Sequence, residues 1–139
     1  MERLNILNAT DEKFLEGKSD CSKFLKYVAA DSRIGIDLPD YQANGLIDYM
    51  ESNAQWEKLG KGRMDRAIEE ALKGRFVVAG AKKEPHGHVA IVVGKDASGM
   101  ATASWGRRNS IGQLRGRLSL SFDFHNNGQQ QVSYYAYRE

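Results

Sequence analysis

Two residues of this chain carry reactive side chains in settings that suit catalysis. Cys21, the single cysteine, lies in Asp20-Cys21-Ser22-Lys23-Phe24. A thiol attacks as its thiolate, and a helix N-terminus favours that anion because its unsatisfied N–H groups and macrodipole are positive. Burial as a small apolar residue is the commoner fate of a free cysteine, but a polar neighbour on each side is unlike a core segment. His88 opens the run His88-Val89-Ala90-Ile91-Val92-Val93 and follows Gly87, a residue that lets a second backbone or a substrate pass close. An imidazole at a strand mouth, facing a thiol on the first turn of a packed helix, can take the thiol proton and later hand it to a leaving amine.

Competing chemistries fit less well. His86, His88, His125 and Cys21 are zinc ligands by type, but they are scattered and match no recognised ligand spacing. His86 reads as a turn residue, so neither a metal nor a cofactor is expected. Arg107, Arg108, Arg115 and Arg117 form a local basic stretch that could meet phosphates, substrate carboxylates or only water. With 20 Lys+Arg against 18 Asp+Glu and a formal charge of +2, and with neither a basic helix nor an aromatic platform, a nucleic-acid partner is not expected.

The elements that must position Cys21 and His88 follow from periodicity. Phe24, Leu25 and Val28 give a helical stripe after Ser19 or Asp20 as N-cap, which puts Cys21 in the first turn. Asp40 is the expected cap of a second helix with apolar face Ala43, Leu46, Ile47 and Met50, and Met64, Ala67, Ile68, Ala71 and Leu72 mark a third, closed by Gly74. Beyond Gly74 the pattern turns to strands at 75–80, 88–93 and 100–105, with a turn at 84–87. The alternation of Leu118, Leu120, Phe122 and Phe124 predicts a fourth strand, which Asn126-Asn127-Gly128 would fold back onto 132–137 as a terminal hairpin. Helices first and antiparallel strands after them predict an α+β fold. A length of 139 residues and 41% apolar content fit one domain spanning 1–139, with no linker or repeat to divide it.

One thiol excludes an intrachain disulfide, and with it a stapled secreted miniprotein. No window approaches the roughly 18 apolar residues of a membrane span, and Met1-Glu2-Arg3-Leu4-Asn5 lacks the apolar core of a signal peptide. The expectation is a chain made in the cytoplasm without membrane insertion, carried outward by something other than the general secretory route if it acts outside.

The motif around Cys21, followed far downstream by Gly87-His88-Val89-Ala90-Ile91-Val92, resembles the NlpC-type branch of papain-like cysteine peptidases, which cut peptide bonds in bacterial peptidoglycan. More narrowly, the chain is similar to the small amidase effectors of the type VI secretion system. The likeness takes in 43–48, Trp56-Glu57-Lys58-Leu59, 74–80 and 134–137. It covers most of 19–106 and thins through 107–131.

The resemblance implies a papain-like NlpC-type fold, with N-terminal helices on an antiparallel sheet, Cys21 as nucleophile and His88 as general base. It also implies a third polar group that orients the histidine from the following strand. Ser104 is the matching position, with Asp96 behind it. Apart from the resemblance, Ser22 is an expected substrate contact, and Arg107 and Arg108 are expected, from their charge alone, to meet the stem carboxylates. Relatives commonly have glycine where this chain has Lys23. Two residues on a helix differ by about 200° in direction, so Lys23 should point away from the thiol. The implied substrate is the peptide stem, cut between γ-D-glutamate and meso-diaminopimelate, with the diaminopimelate to D-alanine cross-link as the competing bond. Delivery into another cell's periplasm, a cognate immunity protein and a monomeric state complete the expectation. A non-catalytic wall-binding module and a housekeeping wall hydrolase are the alternatives.

Overall fold

The computed structural model describes residues 2–107, 112–122 and 128–138. In chain order the elements are α1 (Arg3–Gly17), α2 (Cys21–Ala29), α3 (Ala43–Ser52), β1 (Trp56–Lys61), α4 (Met64–Leu72), β2 (Val77–Ala81), β3 (His88–Lys95), β4 (Ala101–Trp105), β5 (Gln113–Arg117), α5 (Leu118–Phe122), a 3-10 turn at Gly128–Gln131, and β6 (Ser133–Tyr137). The six strands form one sheet in the order β1-β6-β2-β3-β4-β5, antiparallel at every pairing. With helices packed on it, this is the α+β class expected.

The sheet is buried on both faces. On one face Val78, Val89, Ile91, Val93 and Tyr135 pack under α1, α2 and α3 through Ile6, Phe24, Leu25, Val28, Leu46, Ile47 and Met50. On the other, small residues at Ala79, Ala90, Ala101, Ala103 and Ala136 let α4 and α5 approach closely through Ala67, Ala71, Leu118 and Phe122. The period-2 alternation of the strands sends neighbouring residues to opposite layers.

Several expectations are corrected. Asp40 does not cap α3. The cap position is Gln42, which makes no side-chain cap bond, while Asp40 pairs with Lys26. α1 is an additional helix whose buried set, Ile6, Ala9, Thr10 and Gly17, is too sparse and too small to show as an apolar stripe. β1 was also unforeseen, because its Glu57, Lys58, Gly60 and Lys61 dilute any strand pattern. Of the strand expected at 118–124, the described part, Leu118–Phe122, is instead helix α5. Leu118, Ser121 and Phe122 are buried there at i, i+3 and i+4, while Leu120, assigned to the apolar face by alternation, is 63% exposed. The terminal hairpin is therefore absent: β6 lies between β1 and β2. Phe124, Asn126 and Asn127 fall outside the described residues.

Candidate active site

α2 begins at Cys21 because Asp20 stops the extended chain and caps the helix. Its backbone is extended, and its carboxylate accepts the N–H groups of Ser22 at 2.9 Å and Lys23 at 3.1 Å. The Ser22 hydroxyl donates to the same oxygen at 2.6 Å. An N-cap of this type stabilises a helix by about 1 kcal/mol. Phe24, Leu25 and Val28 then press α2 onto the sheet, leaving Cys21 at the rim, 8% exposed, and Lys23 in solvent as the helical angle requires.

Cys21 opens onto a cleft of about 640 Å³. Its walls are 19–22, the start of α3 (Gln42, Ala43, Asn44), the β2–β3 loop at 83–87, and Arg107. The loop is held by Asn44, whose side-chain Nδ2 donates to the Lys83 carbonyl at 2.9 Å and whose Oδ1 accepts the Lys83 N–H at 3.1 Å. Gly87 makes this possible: a Cβ there would lie 2.2 Å from Asn44 Oδ1 and 2.6 Å from the Ala81 carbonyl. The opposite wall is clamped by backbone bonds, with Arg107 N–H donating to Lys18 at 2.7 Å and Cys21 N–H donating to the Arg107 carbonyl at 3.2 Å.

The Val89 backbone, one residue past His88, faces the thiol and favours its anion, so Cys21 lies beside the start of β3. Its pKa is raised above the ordinary thiol value. Burial is the main cause, and the Asp20 carboxylate adds to it, against backbone hydrogen bonds from Val89, Ser22 and Cys21 that lower it. This corrects the expectation that the helix N-terminus would depress it. Burial outweighs the N–H groups that favour a thiolate, and the Asp20 carboxylate puts a negative charge beside it. Burial works to raise the pKa of Asp20 itself, but hydrogen bonds from the Ser22 hydroxyl and the Lys23 and Ser22 backbone outweigh that and hold it below the usual range.

His88 is 1% exposed at the start of β3. Its Nε2 and the Ser121 hydroxyl are hydrogen-bonded at 2.7 Å, and the Phe122 ring stands edge-on to the imidazole at 4.8 Å and 65°. Sequence reasoning missed Ser121. The signal was present in the polar member of an i, i+3, i+4 set, but period 2 was read there instead.

The other expected site residues are distributed as follows. Ser104 is fully buried, and its hydroxyl accepts the Arg115 N–H at 3.0 Å. It stands opposite Ile91, on the layer of α1 to α3. Asp96 lies past the far end of the eight-residue β3, a strand's length or about 25 Å from His88. There it accepts the N–H and hydroxyl of Ser98 and pairs with Arg117 at 3.1 Å, so it is not a partner of the imidazole. Ser22 and Arg107 line the cleft, the former with its hydroxyl committed to Asp20. Arg108 and His125 are outside the described residues. Arg115 pairs with Asp11. Among the described residues no group of three His, Cys, Asp or Glu is placed to hold a metal, and no helix is long and apolar enough to cross a membrane.

No family model matches the chain. Over 136 residues, 94% of this chain and 84% of the relative, it is 31% identical to the peptidoglycan amidase Tse1 of Pseudomonas aeruginosa. The chain belongs to the family of that amidase. In this member a buried thiol opens on the cleft, and a histidine stands at the start of β3.

Proposed function

We propose that this chain is a cysteine amidase that hydrolyses the γ-D-glutamyl to meso-diaminopimelate bond in the peptide stem of bacterial peptidoglycan. The observation that carries the reading is Cys21 on the first turn of α2, its thiol against the Val89 backbone at the floor of the cleft. Kinship over nearly the whole chain with a peptidoglycan amidase supports the substrate class. The α+β arrangement of helix-borne thiol and strand-borne imidazole agrees with a papain-like NlpC-type enzyme acting as one catalytic unit.

Because the resting thiol has a raised pKa, His88 takes its proton as the sulfur attacks the scissile carbonyl. The oxyanion that forms draws on the Cys21 N–H, which exchanges the Arg107 carbonyl for it. His88 then protonates the departing amine as the C–N bond breaks. Water, with His88 again as base, cleaves the thioester and restores the thiol. Arg107 at the rim supplies a cation for a stem carboxylate. Such an enzyme serves as an antibacterial effector, delivered by type VI secretion into a target cell's periplasm and blocked in the producer by an immunity protein that fills the cleft of the monomer.

Digestion of Gram-negative peptidoglycan with wild type and Cys21→Ala, read by mass spectrometry of the muropeptides, tests this. Wild type should release a new diaminopimelate amine and Cys21→Ala should not. A new D-alanine carboxyl with a freed diaminopimelate side-chain amine would move the cut to the cross-link. No new amine from wild type would leave a wall-binding module.

A further inference from the structure

The side of the sheet on which His88 is held is the side opposite Ser104. Along β3, His88 shares its alternation with Ala90 and Val92, and these pack on the α4 and α5 layer with Leu118 and Phe122. Of the three buried residues of α5, two are apolar and one is Ser121, 5% exposed. A hydroxyl buried among hydrocarbon is costly without a partner, and its partner is the imidazole Nε2 at 2.7 Å. The Phe122 ring at 4.8 Å closes the imidazole's edge against rotation.

We propose that Ser121 is the positioning residue of this site, a neutral hydroxyl that fixes the tautomer and orientation of His88 in the place where related enzymes use a group on the following strand. The proposal rests on Cys21 and His88 being nucleophile and base. An imidazole that accepts a proton on Nδ1 must already carry one on Nε2. The Ser121 oxygen accepts that Nε2–H, which assigns Nδ1 to the thiol. During attack the S–H bond breaks and the Nδ1–H bond forms. The Nε2–H stays bonded to Ser121, so the imidazolium keeps a partner inside a buried site. Ser121 brings no charge, in keeping with a thiol that is neutral at rest, and charge separates only as the sulfur attacks. The Ser104 hydroxyl, opposite Ile91, accepts the Arg115 N–H instead.

The test compares Ser121→Ala, Ser121→Val and Ser121→Thr with wild type, each checked by thermal melt. Cys21 is first alkylated with iodoacetamide at neutral pH, and peptidoglycan fragments are then digested. Loss of the hydroxyl should lower kcat by roughly tenfold to a hundredfold with KM unchanged, and slow alkylation about tenfold. Thr should restore both to within about threefold of wild type. Turnover and alkylation by Ala or Val within about twofold of wild type, or a Thr variant no better than its isostere Val, would overturn the proposal. If Ala does not fold, the Val and Thr pair decides it alone. Alkylation needs no peptidoglycan, so a wild type that leaves peptidoglycan intact sinks the amidase reading while the alkylation series still judges Ser121.

Discussion

Two clusters of titratable groups among the described residues are built on opposite rules. At one end of α4, the carboxylate of Glu70, 6% exposed, meets Arg75 at 2.7 Å and Lys73 at 3.1 Å, while Arg75 also reaches Glu57 at 2.8 Å and the Tyr137 carbonyl at 3.2 Å. Charge there is matched by charge, and the cluster ties α4, β1 and β6 together. At Cys21 and His88 the thiol lies beside backbone groups and opens on a cleft, the imidazole Nε2 shares a hydrogen bond with the Ser121 hydroxyl, and the Asp20 carboxylate is spent on a helix cap. Saturated ion pairs make structure, whereas proton-sharing between neutral groups leaves room for a reaction to move charge.

Removing the thiol should separate the two clusters most sharply. Cys21→Ala is expected to lower turnover about a thousandfold or more, with no change in the melting curve, as read by muropeptide release and calorimetry. Arg75→Met should do the reverse. It strips the main partner of a buried carboxylate and is expected to cost about 2 kcal/mol, a fall of roughly 7 °C in Tm, while kcat per folded molecule stays at the wild-type value. In wild type the bond from Arg75 holds Glu70 below the ordinary carboxylate range. The stability it contributes is therefore complete near neutral pH and drains away as pH falls through that lowered pKa, and Arg75→Met should flatten this acid limb.

A smaller effect is expected of Asp20→Asn, which keeps an N-cap acceptor and removes a charge. Burial still raises the thiol pKa, but without the Asp20 carboxylate that pKa should fall, and the pH profile of Cys21 alkylation should shift toward acid. An unmoved profile would detach Asp20 from the thiol. Smallest of all, Lys82→Ala breaks an exposed pair with Asp48 and should leave Tm and turnover where they are.

Much of the site was legible because its residues obey local rules. Asp20 is a capping residue before an apolar stripe, so Cys21 had to fall in the first turn. Gly87-His88 before a β-branched run had to be a strand entrance. What escaped was set by distant contacts. The helix-lowered thiol pKa failed because capping and burial act on the same atoms and outweigh the dipole. Ser121 hid because five residues of α5 are too few to separate period 2 from period 3.6, and only its bond to a residue 33 positions away settles which period holds. The fold class came through, yet β1 and α1 did not, since polar edge residues and small buried ones leave no apolar pattern to count.

The place of β6 also governs when this enzyme can exist. The strand nearest the end of the chain lies inside the sheet, with β1 on one side and β2 on the other. Until 133–137 have emerged from the ribosome, both neighbours present open edges and the sheet cannot close. The sheet therefore closes last around β6: a chain that has reached His88 but not 133–137 holds Cys21 and His88 without the strand that joins β1 to β2.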